Sequence, residues 1–275
     1  PTAAPCPGPT WPDWSRPWWQ DWRTWVEPVW QSWHHQLLGM EPEVAVLPGV
    51  LNQQNETAPV RFVPQSALPE GQSYEHFIFQ HHQVPTRDNL HDLFNGCCWL
   101  RFPRTKARLN VLQAEVIGRE GVGATRGPLR DALTLFDENV LLVQAPIEQW
   151  EALQQHHWHT LLVAHRQDWR PLGLQDRAPG LRPVVFGHAL LEKLCQPYKA
   201  VTAHAFWVDP AVPATETAWD IWLSHRLDAN FMATKPFQPL PVMGIPGWCE
   251  DNDHASFYED AQVFRPLRRS SSGGR

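Results

Sequence analysis

Long apolar runs are missing from this 275-residue chain. The stretches that come nearest, such as Val140–Val143, fall far short of the ~20 residues a bilayer demands, so no transmembrane span is expected. Residues 1–35 lack a basic start followed by an apolar run, so no secretory signal is expected there. Paired cysteine motifs are missing too. The five cysteines (Cys6, Cys97, Cys98, Cys195 and Cys249) are odd in number and none lies in a CxxC pair. That argues against a disulfide framework and predicts a reduced, cytoplasmic setting. Cys97 and Cys98 sit within an apolar run, where a free thiol acts as a small hydrophobe. No phosphate loop, GxGxxG, HExxH or GxSxG occurs. A net charge of −6 argues against a surface committed throughout to nucleic acid.

Tryptophan is what the chain has in excess. Of its 16 tryptophans, eight lie between Trp11 and Trp33. Trp11, Trp14, Trp18, Trp22, Trp25, Val29 and Trp33 recur at three- and four-residue steps, the spacing of one helical face. Pro17 suits a first turn with Ser15 as cap, and Pro28 predicts a kink or a break. The polar face carries Asp21, Arg23 and Glu27 rather than a lysine stripe. Docking on the domain or on a protein partner is therefore expected in preference to a membrane surface.

Residues 41–75 read as a connector with short extended pieces such as Val60–Val63. Helical patterns follow at 88–101, 103–117 and 128–136, then a strand at Val140–Gln144 and a helix opening on Pro146. "TLLVAH" fits helix or strand. "RPVVFGHALLEKL" reads as strand, turn and helix with Gly187 at the bend, Val201–Val208 as strand, and 216–232 as helix. From Pro236 onward, Pro and Gly recur. The expected fold is α+β, a mainly helical single domain with a small mixed sheet and an extended C-terminal strap. Its parts are a Trp-rich helical segment (1–40), the main domain (41–267) and a disordered tail (268–275).

"DNLHDLFN" concentrates polar groups. With ~100° per residue, Asp88, His91, Asp92 and Asn95 share an arc, and Asp88 or Thr86 can cap the helix. The arc supplies a base and metal ligands at neighbouring positions, but it also fits a solvated face. Across 101–131, seven basic residues (Arg101, Arg104, Lys106, Arg108, Arg119, Arg126 and Arg130) stand against three acidic ones, an island able to hold phosphate or carboxylate. Asp137 and Glu138 fall at a helix C-terminus, where the dipole disfavours anions and something nearby should compensate. His188 falls where a strand turns into a helix, a position that commonly faces a cleft. His204 is a weaker candidate. "HHWH" at 156–159 has no zinc spacing, and "DNDH" at 251–254 reads as a turn.

"VPTRDNLHDLFNGCCWLRFPRTKARLN", "RGPLRDALTLFDEN", "VVFGHALLEKL", "PLPVMGIPGW" and "FYEDAQVFRP", in this order, resemble a bacterial family known as domain of unknown function 3025. The likeness covers roughly residues 60–267. It implies a soluble bacterial protein and carries no established reaction.

Two functions remain open on these grounds. One is a hydrolase with His91, Asp92, Asp137, Glu138 and His188 as catalytic groups and a divalent metal on Asp88, His91 and Asp92. Arg87, Asn95, Arg104, Lys106, Arg108 and Arg130 would then hold an anionic, phosphate-bearing substrate. The other is a non-catalytic protein binding an anionic ligand, a nucleic acid or a protein partner through the basic helix and the Trp-rich segment. Convergence on one cleft favours the first; a continuous surface favours the second.

Overall fold

The structure, a computed structural model, describes residues 12–37, 45–120 and 127–267. Trp11, Cys6, Arg126 and the 268–275 tail lie outside the described residues. Helices α1 (Pro17–Gln20) and α2 (Arg23–Leu37) form the Trp-rich start. Pro28 does not break α2, which runs through it. The buried face of Val26, Val29, Trp30 and Trp33 holds the helix across the hydrogen bond that Pro cannot make.

The segment expected as a connector contains a helix, α3 (Leu47–Gln54), followed by β1 (Arg61–Pro64) and α4 (Tyr74–His81). Strand β2 (Gln83–Thr86) returns parallel to β1, pairing Phe62 with Val84. The long helices α5 (Leu90–Arg101), α6 (Pro103–Glu120) and α7 (Pro128–Asn139) come next. The cap of α5 is neither Asp88 nor Thr86. It is Asn89, whose side-chain oxygen accepts the Asp92 backbone N–H at 2.8 Å.

Strand β3 (Val140–Gln144) follows α7 directly and leads to α8 (Ile147–Gln154). "TLLVA" (Thr160–Ala164) is a single π-helical turn. Strand β4 (Arg182–Val185) then turns into α9 (His188–Lys193), and β5 (Thr202–Val208) follows. The helix expected over 216–232 divides into α10 (Glu216–Arg226) and α11 (Ala229–Ala233). Asp228 divides them by accepting the N–H groups of Asn230 and Phe231. The strap holds β6 (Gln238–Pro241) and short 3-10 turns. The larger sheet has the order β4-β3-β5-β6. It is mixed: β3 pairs antiparallel with β4 and parallel with β5, and β6 pairs antiparallel with β5. Every residue of β3 is buried, as the continuous run VLLVQ requires of a central strand.

The Trp-rich helices share this core. Trp19 stacks on Phe94 of α5 at 5.6 Å between centroids, and the Trp22 ring Nε1–H donates to the Val185 carbonyl at 3.0 Å. Trp18, Trp19, Trp22, Trp30 and Trp33 are all buried, so these rings are used within the chain, while Trp14 and Trp25 are half-buried. Asp21, expected on the polar face, is also buried and accepts the Leu174 and Gln175 N–H groups. No helix among the described residues is long and apolar enough to cross a membrane.

Candidate functional site

Two backbone features bring distant polar groups together. Along α5, His91, Asn95 and Trp99 recur every four residues and face one side. On α6, Lys106, Asn110 and Gln113, at steps of four and three, line the same cavity, and on α7 so do Thr134, Asp137 and Glu138. The second feature is Gly187. A Cβ there would sit 2.5 Å from the Asn139 nitrogen and against the Glu138 carbonyl, so only glycine lets the start of α9 approach the end of α7. His188, the first residue of α9, is thereby set beside Asp137.

These faces enclose a cavity of about 320 Å³. Arg87, His91, Asp92, Asn95, Lys106, Asp137, Glu138 and His188, all singled out in the sequence, line it. Tyr74, Trp99, Asn110, Gln113 and Thr134 complete much of the wall and were not anticipated. The polar positions of α6 at i, i+4 and i+7 carried a readable signal, because they interrupt a helix whose Leu109, Leu112 and Val116 are buried. Tyr74 had none.

Other expected residues lie elsewhere. Asp88, proposed as a metal ligand, accepts the Val46 and Leu47 backbone N–H groups and the Trp33 ring N–H at 2.8–3.2 Å. Its carboxylate closes the start of α3, which has no side-chain cap of its own. Among the described residues no three His, Cys, Asp or Glu side chains are arranged to hold a metal ion. The expected set of Asp88, His91 and Asp92 therefore does not form. Arg104, Arg108 and Arg130 are not among the cavity's lining residues. The Arg104 backbone N–H donates to Asp220, and the Arg108 Nε–H to the Leu227 carbonyl. Arg101 is fully buried against the Trp22 ring and beside Glu216. Among the described residues the basic run is divided: Arg101 lies in the core, Lys106 in the cavity and Arg108 against Leu227, while Arg104 and Arg119 are exposed.

Within the cavity each cation meets a carboxylate. Arg87 grips Asp92 with two parallel bonds of 3.0 and 2.9 Å, and its backbone N–H adds a third at 2.6 Å. Lys106 is bonded to Asp137, donates to Asn95 Oδ1 at 2.8 Å, and stands 5.5 Å over the Trp99 ring. Asn95 in turn donates to the Tyr74 hydroxyl at 3.0 Å. Burial alone would raise the Asp137 pKa. Lys106 first, then His188 and His91, outweigh it and hold the carboxyl below the usual range. Burial pushes the Tyr74 phenol well up, with Asp92 and Asp137 adding to it, so the phenol stays neutral. Burial likewise pushes His188 down to about 4. Asp137 opposes the shift, while Lys106 and His91 reinforce it. His188 is therefore a neutral imidazole at pH 7.

A family model described as a protein of unknown function (DUF3025) matches residues 60–268. The chain belongs to that family. Every wall residue of the cavity falls inside the matched stretch, whereas α1, α2 and α3 precede it. No curated protein and no solved structure matches the chain. The family's description names no reaction.

Proposed function

We propose that the cavity is the active site of a hydrolase that works by general acid–base catalysis on a small polar molecule. The observation that carries this reading is convergence. His91, Asp137, Lys106 and His188, from four separate helices, meet at one cavity beside a buried ion pair. Burying ionisable groups costs stability, and functional sites are where that cost is commonly accepted.

The nucleophile is water. The only hydroxyls among the lining residues belong to Thr134 and the neutral Tyr74. The thiol of Cys98 is bound to the Phe186 carbonyl and pushed up to about 12 by burial. Asp137 and the two imidazoles are the groups able to take a proton from that water and return it to the leaving group. Lys106 and Asn95 supply donors for charge developing on the substrate. Both cavity cations are already paired, and the remaining arginines lie elsewhere. With Arg87 and Lys106 both paired, the cavity favours a neutral polar substrate over a phosphate-bearing one.

Hydrolysis places one solvent oxygen in the product. Incubation in ¹⁸O-labelled water with a panel of small esters, amides and glycosides, read by mass spectrometry, tests this directly. Wild-type protein should incorporate label, and His188→Asn and Asp137→Asn should each slow it by about 10²–10⁴-fold. No protein-dependent incorporation across the panel, or incorporation untouched by both substitutions, would remove the reading.

A further inference from the structure

The imidazoles of His91 and His188 do more than line a wall. Their Nε2 atoms lie 3.2 Å apart with the rings nearly perpendicular, at 79°. On the far side of His91, Nδ1 meets the Glu192 carboxylate at 3.1 Å. Glu192 is not among the cavity's lining residues, and its side chain is 43% exposed. On the far side of His188, Nδ1 is buried, makes no well-formed hydrogen bond, and lies 3.9 Å from Asp137 Oδ2, with the Asp137 backbone also close to the ring.

Donor and acceptor rules permit few proton arrangements here. An ionised carboxylate only accepts, so His91 carries its proton on Nδ1. Two bare Nε2 atoms cannot bond, so exactly one hydrogen lies between them. With both rings neutral, that hydrogen belongs to His188, whose Nδ1 is then a bare lone pair facing Asp137. Adding one proton at His188 Nδ1 and sliding the shared hydrogen to His91 gives the other complete arrangement. There His188 is neutral again and His91 is an imidazolium against Glu192.

We infer that His188 and His91 form a proton wire between Asp137 on the cavity wall and Glu192 at the surface, with Glu192 a positioning residue that fixes the tautomer of His91. The inference rests on the cavity being an active site. A proton leaving the attacking water goes to Asp137, and rotation of that carboxylate passes it to His188 Nδ1. The hydrogen on His188 Nε2 moves at the same time to His91 Nε2. Charge then rests on the half-exposed ring beside Glu192 rather than on the buried one, which resists it. Reversing the same steps delivers the proton to the leaving group, so none is gained or lost. The charged groups facing the two rings are Asp137 from α7, Lys106 from α6 and Glu192 from α9.

Long-range ¹H–¹⁵N correlation on the full chain labelled with ¹⁵N-histidine reads each tautomer. At neutral pH, His91 should be protonated on Nδ1 and His188 on Nε2. On acidification one joint change should appear, in which His91 becomes doubly protonated as His188 switches to Nδ1–H. Glu192→Ala should let both neutral tautomers of His91 appear at neutral pH, since it removes the acceptor that holds the proton on Nδ1. His91 charging while His188 keeps its Nε2 proton, or the opposite neutral tautomers, would overturn the wire. Turnover plays no part in this measurement, so its failure and that of the hydrolase reading are separate results.

Discussion

Replacing Lys106 by Met keeps most of the side chain's volume and removes its charge. Asp137 then stays in place with its cation gone and a neutral His188 beside it. Breaking a buried pair from one side costs ~3–5 kcal/mol, because the remaining charge is left uncompensated. The Asp137 side chain is 19% exposed, so the lower end, about 3 kcal/mol, is expected at pH 7. The pH dependence is the sharper test. In the wild type the folded pKa of Asp137 is depressed. Its contribution is therefore present above the unfolded value and is lost as pH falls through the folded one. In the variant burial prevails and the folded pKa rises above the unfolded value, so the sign inverts: the penalty holds at neutral pH and shrinks as acid protonates Asp137. Urea unfolding followed by circular dichroism at pH 7 and pH 5 measures both. A loss under about 1 kcal/mol at pH 7, or an equal loss at the two pH values, would refute the ion-pair argument.

Asp88→Ala should destabilise the chain by about 2 kcal/mol through the lost cap on α3, and leave the histidine tautomers unchanged in NMR. Trp22→Ala should cost ~3–5 kcal/mol in the same denaturation assay, since the ring is fully buried and its N–H is bonded to β4. Gly187→Ala should cost about 1–3 kcal/mol by forcing α9 off α7. It should also separate the His91 and His188 ring resonances from each other's influence.

Local signals carried most of the fold. Pro103 and Pro128 mark true helix starts, and the apolar run at Val140 is the central strand. Failures came where tertiary contacts replace local ones. Helix α3 has no cap within its own segment and borrows Asp88 from 41 residues away, so 41–75 reads as loop. The same borrowing explains Asp88 itself. Its place on the polar arc is real, but its carboxylate points at another helix's amides, which spacing along one helix cannot show. For the site, the polar spacing on α5 and the acidic end of α7 were legible. Which of the seven basic residues answers that acidic end was not. Lys106 does so because α6 turns it inward, while on the same helix Arg108 donates to the Leu227 carbonyl and Arg104 is exposed.

A carboxylate at the C-terminal end of α7 opposes the helix dipole by several tenths of a kcal/mol, and burial adds to that cost. A chain shaped for stability alone would place an apolar pair there. The double replacement Lys106→Met with Asp137→Val makes that exchange with little change in volume. Exchanges of this kind are often neutral or stabilising by ~1–4 kcal/mol. If the double variant unfolds at equal or higher urea concentration than wild type, the pair is not retained for folding, and its place in an active site accounts for it. Single replacement should destabilise and double replacement should restore, a reversal that ordinary loss of packing cannot produce. If instead the double variant is weaker than either single one, the pair is a structural keystone joining α6 to α7. The cavity would then lose its strongest claim to chemistry.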